Sequence, residues 1–251
     1  MNLDRNVILI IQARMGSKRL PGKSMLDLAG EPLVARIIER VKRCKTFKNI
    51  VLAIPNTKEN KVLKYIADKY SINVYLGSED DLLDRYFQAG KLFRADIIAR
   101  LPADNPTPEP SEIDKLVNFH LQLDRPSFSS NLAPFFNSGY PDGIGIEVFD
   151  FCLLKDALNN NDIQKREHVH LNFFNYENEK PVDEEWCPIR TIRCPQEFAR
   201  PDLVLDVNTK EQYIFMKNLY EYLYPKNNKF TIKDIINWYD NVYRKNKIKS
   251  D

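Results

Sequence analysis

Apolar positions in the first 120 residues follow two alternating rhythms. Short continuous runs at Val7 to Ile11, Ile50 to Ile54, Asn73 to Leu76 and Asp96 to Leu101 read as buried strands. Between them the spacing becomes helical. Leu33, Val34, Ile37, Ile38 and Val41 share one face behind Pro32, whose fixed φ suits a first helical turn. Val62, Leu63, Ile66, Ala67 and Tyr70 repeat the pattern, as do Leu82, Leu83, Tyr86, Phe87 and Phe93, and then Ile113, Leu116, Val117, His120 and Leu121. Strands alternating with helices of this length predict βαβ units, and so an α/β fold with a mainly parallel sheet flanked by helices. Such sheets bind ligands at the carboxyl ends of their strands. The loops after Ile11 and Leu101 are two such ends.

From Pro126 to about Pro195 the rhythm breaks, and aromatics gather at Phe128, Phe135, Phe136 and Tyr140. This stretch, about 126–195, reads as an insertion within one domain spanning 1–251, carrying acceptor contacts and a subunit interface, so a homodimer is expected. The sheet is predicted to resume at Leu203 to Val207. Helices follow from Thr209 to about Leu223 and from Thr231 to about Arg244, and the polar tail Lys245 to Asp251 is expected to fray.

The bulk numbers narrow the function. Hydrophobic content of 43% with 29% charged residues is ordinary for a soluble domain. A net charge of +2, from 37 basic and 35 acidic residues, argues against a dedicated nucleic-acid binder. Val7 to Ile11 is too short for a membrane span or a signal-peptide core, so a cytoplasmic protein that does not engage the membrane is expected. Cys44, Cys152, Cys187 and Cys194 form no Cys-x-x-Cys pair and have no histidine at zinc spacing, so free thiols are expected. No Ser/His/Asp triad stands out. His120 lies on an apolar helical stripe, and it and His170 read as structural.

The densest chemical signal is Gln12, Ala13, Arg14, Met15, Gly16, Ser17, Lys18, Arg19, Leu20, Pro21, Gly22 and Lys23. A strand ends, a loop with small residues can turn its N–H groups outward, and four cations surround it, which suits phosphate. The spacing is neither a Walker A sequence nor Gly-x-Gly-x-x-Gly. It resembles the N-terminal signature of the cytidylyltransferases that make CMP-activated sugars, roughly Ala-Arg-x-x-Ser-x-Arg-Leu-Pro-x-Lys. Ala13, Arg14, Ser17, Arg19, Leu20, Pro21 and Lys23 are in register with it. The opening Gln-Ala-Arg-Met-Gly-Ser is most similar to the spore-coat-polysaccharide branch.

The resemblance implies a Rossmann-like nucleotide-diphospho-sugar transferase fold. It also implies Mg²⁺-dependent transfer of CMP from CTP to a sugar or sugar-like acceptor, with release of pyrophosphate, in surface-glycan biosynthesis. Arg14 and Lys23 would be catalytic and bind the triphosphate, with Gln12, Ala13, Gly16, Ser17, Lys18 and Arg19 in the nucleotide site. Two carboxylates stand where the family holds its metal. Asp104 lies three residues past Leu101, with Pro102 and Asn105 where the family pattern has Thr and Cys; an Asx turn before Pro106 would also favour this residue. Asp206 follows Leu203 to Leu205, with Asn208 in place of the usual Pro; an acid entering a helix is its plainer reading.

Ser78, in the stretch Gly77 to Tyr86, would reach the base or ribose. Arg100 would meet the nucleotide or pair with an acid. Asp142 and Glu147 lie in a segment similar to the family's acceptor region, where Gly145 replaces an acidic or polar residue. Arg166, Glu167 and His168 match an Arg-Glu-His signature assigned to the acceptor, and a helical salt-bridge face is the competing account. A sugar-1-phosphate nucleotidylyltransferase is the near rival, but its Gly-rich loop is absent. A catalytically silent nucleotide-binding subunit is the other rival.

Overall fold

The computed structural model describes residues 5–132 and 135–245. Residues 246–251 of the predicted frayed tail and the side chain of Phe135 lie outside the described set. Seven strands form the central sheet: β1 (Val7–Gln12), β2 (Asn49–Pro55), β3 (Asn73–Gly77), β4 (Ile97–Pro102), β5 (Phe128–Ser130), β6 (Glu147–Asp150) and β7 (Ile189–Arg190). Their order is β7-β5-β6-β4-β1-β2-β3. All neighbours are parallel except β6, which runs antiparallel to both β4 and β5. The helices are α1 (Leu33–Val41), α2 (Lys61–Lys69), α3 (Leu82–Leu92), α4 (Pro110–His120), α5 (Phe151–Ala157), α6 (Ile163–Glu167), α7 (Lys210–Leu223) and α8 (Ile232–Trp238).

Strand β1 sits between β2 and β4, with helices packed on both faces of the sheet, so its apolar run is continuous. Leu9 and Ile11 face a core built with α1, α2, α4, α7 and α8. Ile8 and Ile10 face a second core built with α3 and α5. All four are fully buried, each stabilising the fold by roughly 1.5–3 kcal/mol relative to exposure.

The four early strands and four early helices match the sequence expectation within three residues, with Pro32 as the cap of α1. Two expectations are corrected. The stretch about 126–195 is not an excursion from the sheet, because β5, β6 and β7 all lie within it. They are three, four and two residues long, too short for any alternation to show. Leu203 to Val207 does not resume the sheet as a strand. Val204 instead forms a single parallel bridge with Asp142. All four cysteines are free thiols, as expected. Burial pushes Cys187 and Cys194 up to about 12, which keeps them protonated. Among the described residues no helix is long and apolar enough to cross a membrane.

Candidate active site

The loop after β1 is folded by its own small residues. Ser17 N–H and Gly22 N–H both donate to Met15 O, and Leu20 N–H donates to Ser17 Oγ at 3.2 Å. Gly22 adopts φ +69°, a left-handed turn that lets Lys23 begin a short 3-10 turn. The buried Asn60 pins the loop from α2, accepting from Met15 N–H at 2.9 Å. Among the described residues the N–H groups of Gly16, Lys18 and Arg19 have no partner. Arg14, Lys18 and Arg19 are exposed around them. Open amides beside exposed cations are a combination that suits an anion. The Ala13 N–H, just past the end of β1, is taken up by Ala53 O.

Opposite this loop the structure gathers charges that are far apart in sequence. Lys23 Nζ donates to Asp104 Oδ2 at 3.1 Å, to Val207 O at 3.2 Å and to Asn208 Oδ1 at 3.2 Å. Val207 N–H donates to Asp104 O at 2.7 Å, joining the two carboxylate segments through their backbones. Asn208 is the hub that its position in place of a proline did not suggest. Its Oδ1 also accepts from Arg19 Nη2 at 2.7 Å, and its Nδ2 donates to Asp206. Gln212 completes the mount. Its Oε1 accepts from the N–H groups of Asn208 and Thr209 as part of a capping box on α7, and its Nε2 donates to Asp206 Oδ1 at 2.9 Å. The signal for Gln212 was present in the sequence: Thr209 with Gln212 three residues later is a helix-start pattern.

Asp142, expected on the acceptor side, comes to the same carboxylate cluster. Asp142 N–H donates to Leu203 O, and Leu205 N–H donates to Asp142 O, each at 3.0 Å. Gly143 allows this approach: at φ +88° any Cβ there would lie 2.8 Å from the Leu205 carbonyl carbon. Burial raises the Asp206 carboxyl, and Asp104 raises it further. Burial, then Asp206 and Asp104, push Asp142 up to about 6. Three acids therefore face one region with Lys23 as the ion-paired cation.

Asp142 consequently weakens the fold. Between the unfolded value of 3.8 and the folded value of about 6, the native chain holds a proton the unfolded chain has lost, so stability falls as pH rises. Above that window the cost is roughly 2–3 kcal/mol. Asp142→Asn is expected to be more stable than wild type by about 1–3 kcal/mol near pH 8, with the gap closing towards about pH 4. Urea unfolding in chelator at both pH values checks this. Equal stability near pH 8 would count against the repulsion.

The remaining predicted residues go elsewhere. Arg100 and Glu147 meet each other, with Arg100 Nη1 2.5 Å from Glu147 Oε2, both buried. Gln12 accepts from Arg100 Nε at 3.1 Å, and Tyr176 OH donates to Glu147 Oε1 at 2.8 Å. Burial alone would raise the Glu147 carboxyl, but Arg100 and the Tyr176 hydroxyl hold it below the usual range. Arg100, Glu147 and Gln12 thus share one polar network beneath the loop, which is the pairing with an acid that the sequence left open for Arg100. His170, read as structural, borders this network, and burial lowers it to about 4, so it is neutral.

Ser78 is exposed after β3, its Oγ accepting from Asp81 N–H at 3.1 Å. Arg166 donates to Asp81, the cap of α3, and to the carbonyls of Leu158 and Asn160 at 3.1 Å. It staples α6 to α3. Glu167 and His168 are exposed at the end of α6. Among the described residues no hydrogen bond or ion pair links these three to the carboxylate cluster.

A mainly parallel sheet whose carboxyl ends carry an open-amide basic loop facing a lysine and paired aspartates is the layout of a nucleotidyltransferase. The chain belongs to the cytidylyltransferase family, whose model matches residues 8–237. It is 35% identical over 164 residues to an uncharacterized protein of Methanocaldococcus jannaschii, a match covering 65% of this chain and 65% of that one. It is 30% identical over 222 residues to a spore coat polysaccharide biosynthesis protein of Bacillus subtilis, covering 86% of this chain and 87% of that one. Its fold superposes on a cytidylyltransferase structure from Leptospira borgpetersenii with a TM-score of 0.83 and 28% identity, covering 97% of this chain and 96% of that one.

Proposed function

We propose that this chain transfers CMP from CTP to a sugar or sugar-like acceptor and releases pyrophosphate, in the making of a surface glycan. The observation that carries the reading is the Lys23–Asp104 pair, joined through Asn208 to Asp206 and Arg19, beside a loop with open amides. The relationship to a spore coat polysaccharide biosynthesis protein supports the glycan setting.

The loop amides of Gly16, Lys18 and Arg19, with the Arg14, Lys18 and Arg19 side chains, would hold the triphosphate and offset charge building on the leaving pyrophosphate. Lys23 stands between that anion and the carboxylates. The acceptor oxygen would attack the α-phosphorus in line, and the α–β bridging oxygen would leave with the pyrophosphate.

The residues fit Mg²⁺. Among the described residues no set of three or more His, Cys, Asp or Glu is arranged as a metal cage. Mg²⁺ needs none, since it binds through one or two carboxylates plus phosphates and water. Asp104 and Asp206 would supply those oxygens, and their mutual repulsion marks a place short of positive charge. Bound there, the ion would polarise the α-phosphate and neutralise its charge.

Nucleotide binding tests the loop. CTP is expected to bind more tightly than UTP, GTP or ATP by calorimetry. Lys23→Ala should weaken CTP about 10- to 100-fold, the worth of a charge-assisted contact of ~1.5–3 kcal/mol. Unchanged CTP affinity in Lys23→Ala would remove the loop from the account.

A further inference from the structure

Helix α1 and the turn after it carry Arg36, Arg40 and Arg43 towards the C-terminal turn of α7 and the segment 228–230. A cavity of about 270 Å³ lies between them, bordered also by Glu39, Tyr220 and Tyr224. Two of the arginines are fully engaged. Arg36 donates to Leu28 O at 2.8 Å, to Ala29 O at 2.5 Å and to Glu39 at 2.7 Å. Arg40 donates to Pro108 O at 2.8 Å, to Phe230 O at 3.0 Å and to Glu109 at 3.4 Å.

Arg43 differs. Its Nε and Nη1 reach only carbonyls, Arg40 O at 3.4 Å and Lys229 O at 3.1 Å. Its Nη2 is buried with no hydrogen-bond partner among the described residues. A buried donor left unmade is costly, and more so when it is charged. The neighbouring acids are taken. Glu39 accepts from Arg36, Tyr70 and Tyr224, and Glu109 from Arg40 and the Ile232 N–H. Lys229, exposed at the rim, adds a second cation. Burial, then Arg40, push the Arg43 guanidinium down, as expected of a cation lacking its counter-charge.

We propose that this cavity is a second ligand site, separate from the nucleotide loop, that takes a small phosphate-bearing anion on Arg43 and Lys229. A guanidinium fork matches phosphate oxygens, and an ammonium adds a point charge. The volume is at the small end for ligand sites, which selects a phosphate or a compact phosphoester over a nucleoside triphosphate. Tyr220 and Tyr224 give the wall an aromatic part suited to an organic ester. The cavity backs onto the catalytic loops: Tyr220 OH donates to Pro106 O at 2.5 Å and Arg40 to Pro108 O, both on the Asp104 loop. Binding here does not depend on the reaction at Asp104 and Asp206.

The test is a tungstate soak of crystals of the full chain, paired with calorimetric titration by inorganic phosphate and phenyl phosphate. An anomalous peak is expected in the cavity, beside the Arg43 guanidinium and Lys229. Arg43→Gln should weaken phosphate binding at this site at least about 10-fold, the loss of one charge-assisted contact. Its thermal midpoint without anion should be unchanged or raised, since an uncompensated charge is gone, and Arg43→Lys should keep part of the affinity. Tighter binding of phenyl phosphate would support the site with an organic ester as occupant, and equal binding would support it with the free ion. No peak in the cavity, or wild-type affinity in a folded Arg43→Gln, would overturn the proposal.

Discussion

Asp104→Asn and Asp206→Asn are each expected to lower turnover at least about 100-fold, equivalent to ~2.7 kcal/mol of transition-state stabilisation. Each removes a negative charge from the place where the proposed Mg²⁺ and Lys23 converge, while leaving the side-chain shape intact. The backbone link from Val207 N–H to Asp104 O does not depend on either carboxylate, so the loop should hold. Both substitutions also relieve repulsion, because Asp104 raises Asp206, and both raise Asp142. The expected signature is therefore lost activity with thermal stability, measured in chelator, equal to or above wild type. Lost activity accompanied by a large drop in stability would mean that these acids hold the fold. Near-wild-type turnover in both variants would remove the carboxylate pair from the mechanism.

Glu147→Ala should destabilise the chain by about 3–5 kcal/mol, because it strands the buried Arg100 guanidinium. The hydrogen bond from the Tyr176 hydroxyl to Glu147 is lost at the same time. Replacing both partners by apolar residues, Arg100→Met with Glu147→Leu, should restore most of that loss, since the cost lies in the unpaired charge. Urea midpoints with unchanged slopes would establish this. A single variant within about 1 kcal/mol of wild type would show that water reaches Arg100 and that the network is not sealed.

How far the sequence carried this account depended on the length of each local pattern. Strands β1 to β4 and helices α1 to α4 were legible because three to five apolar residues run together in each strand and five recur at helical spacing in each helix. Strands β5 to β7 were not, since two to four residues cannot display a period, and Ser129, Ser130 and Glu147 place buried polar groups within them. In the site, Lys23, Asp104 and Asp206 were found and do converge. Arg100 pairs with Glu147 and Arg166 with Asp81 across gaps of 47 and 85 residues, so the sequence, which left both a ligand contact and an ion pair open for each arginine, could not choose between them. An exposed ligand contact and a buried ion pair draw on the same residue types, and only the fold tells them apart. Asn208 was noticed as a departure from a proline, but its bridging of Arg19, Lys23 and Asp206 required three separate segments to be brought together.

The central claim is that the cluster at the carboxyl ends of the sheet transfers a cytidylyl group. The most direct measurement is pyrophosphate release with Mg²⁺ and each of CTP, UTP, GTP and ATP, across a panel of acidic and neutral sugars. The account predicts release that selects CTP, requires one acceptor class and is lost in Asp206→Asn. Release that is indifferent to the nucleotide, or CTP binding with no release for any acceptor in the panel, would contradict it.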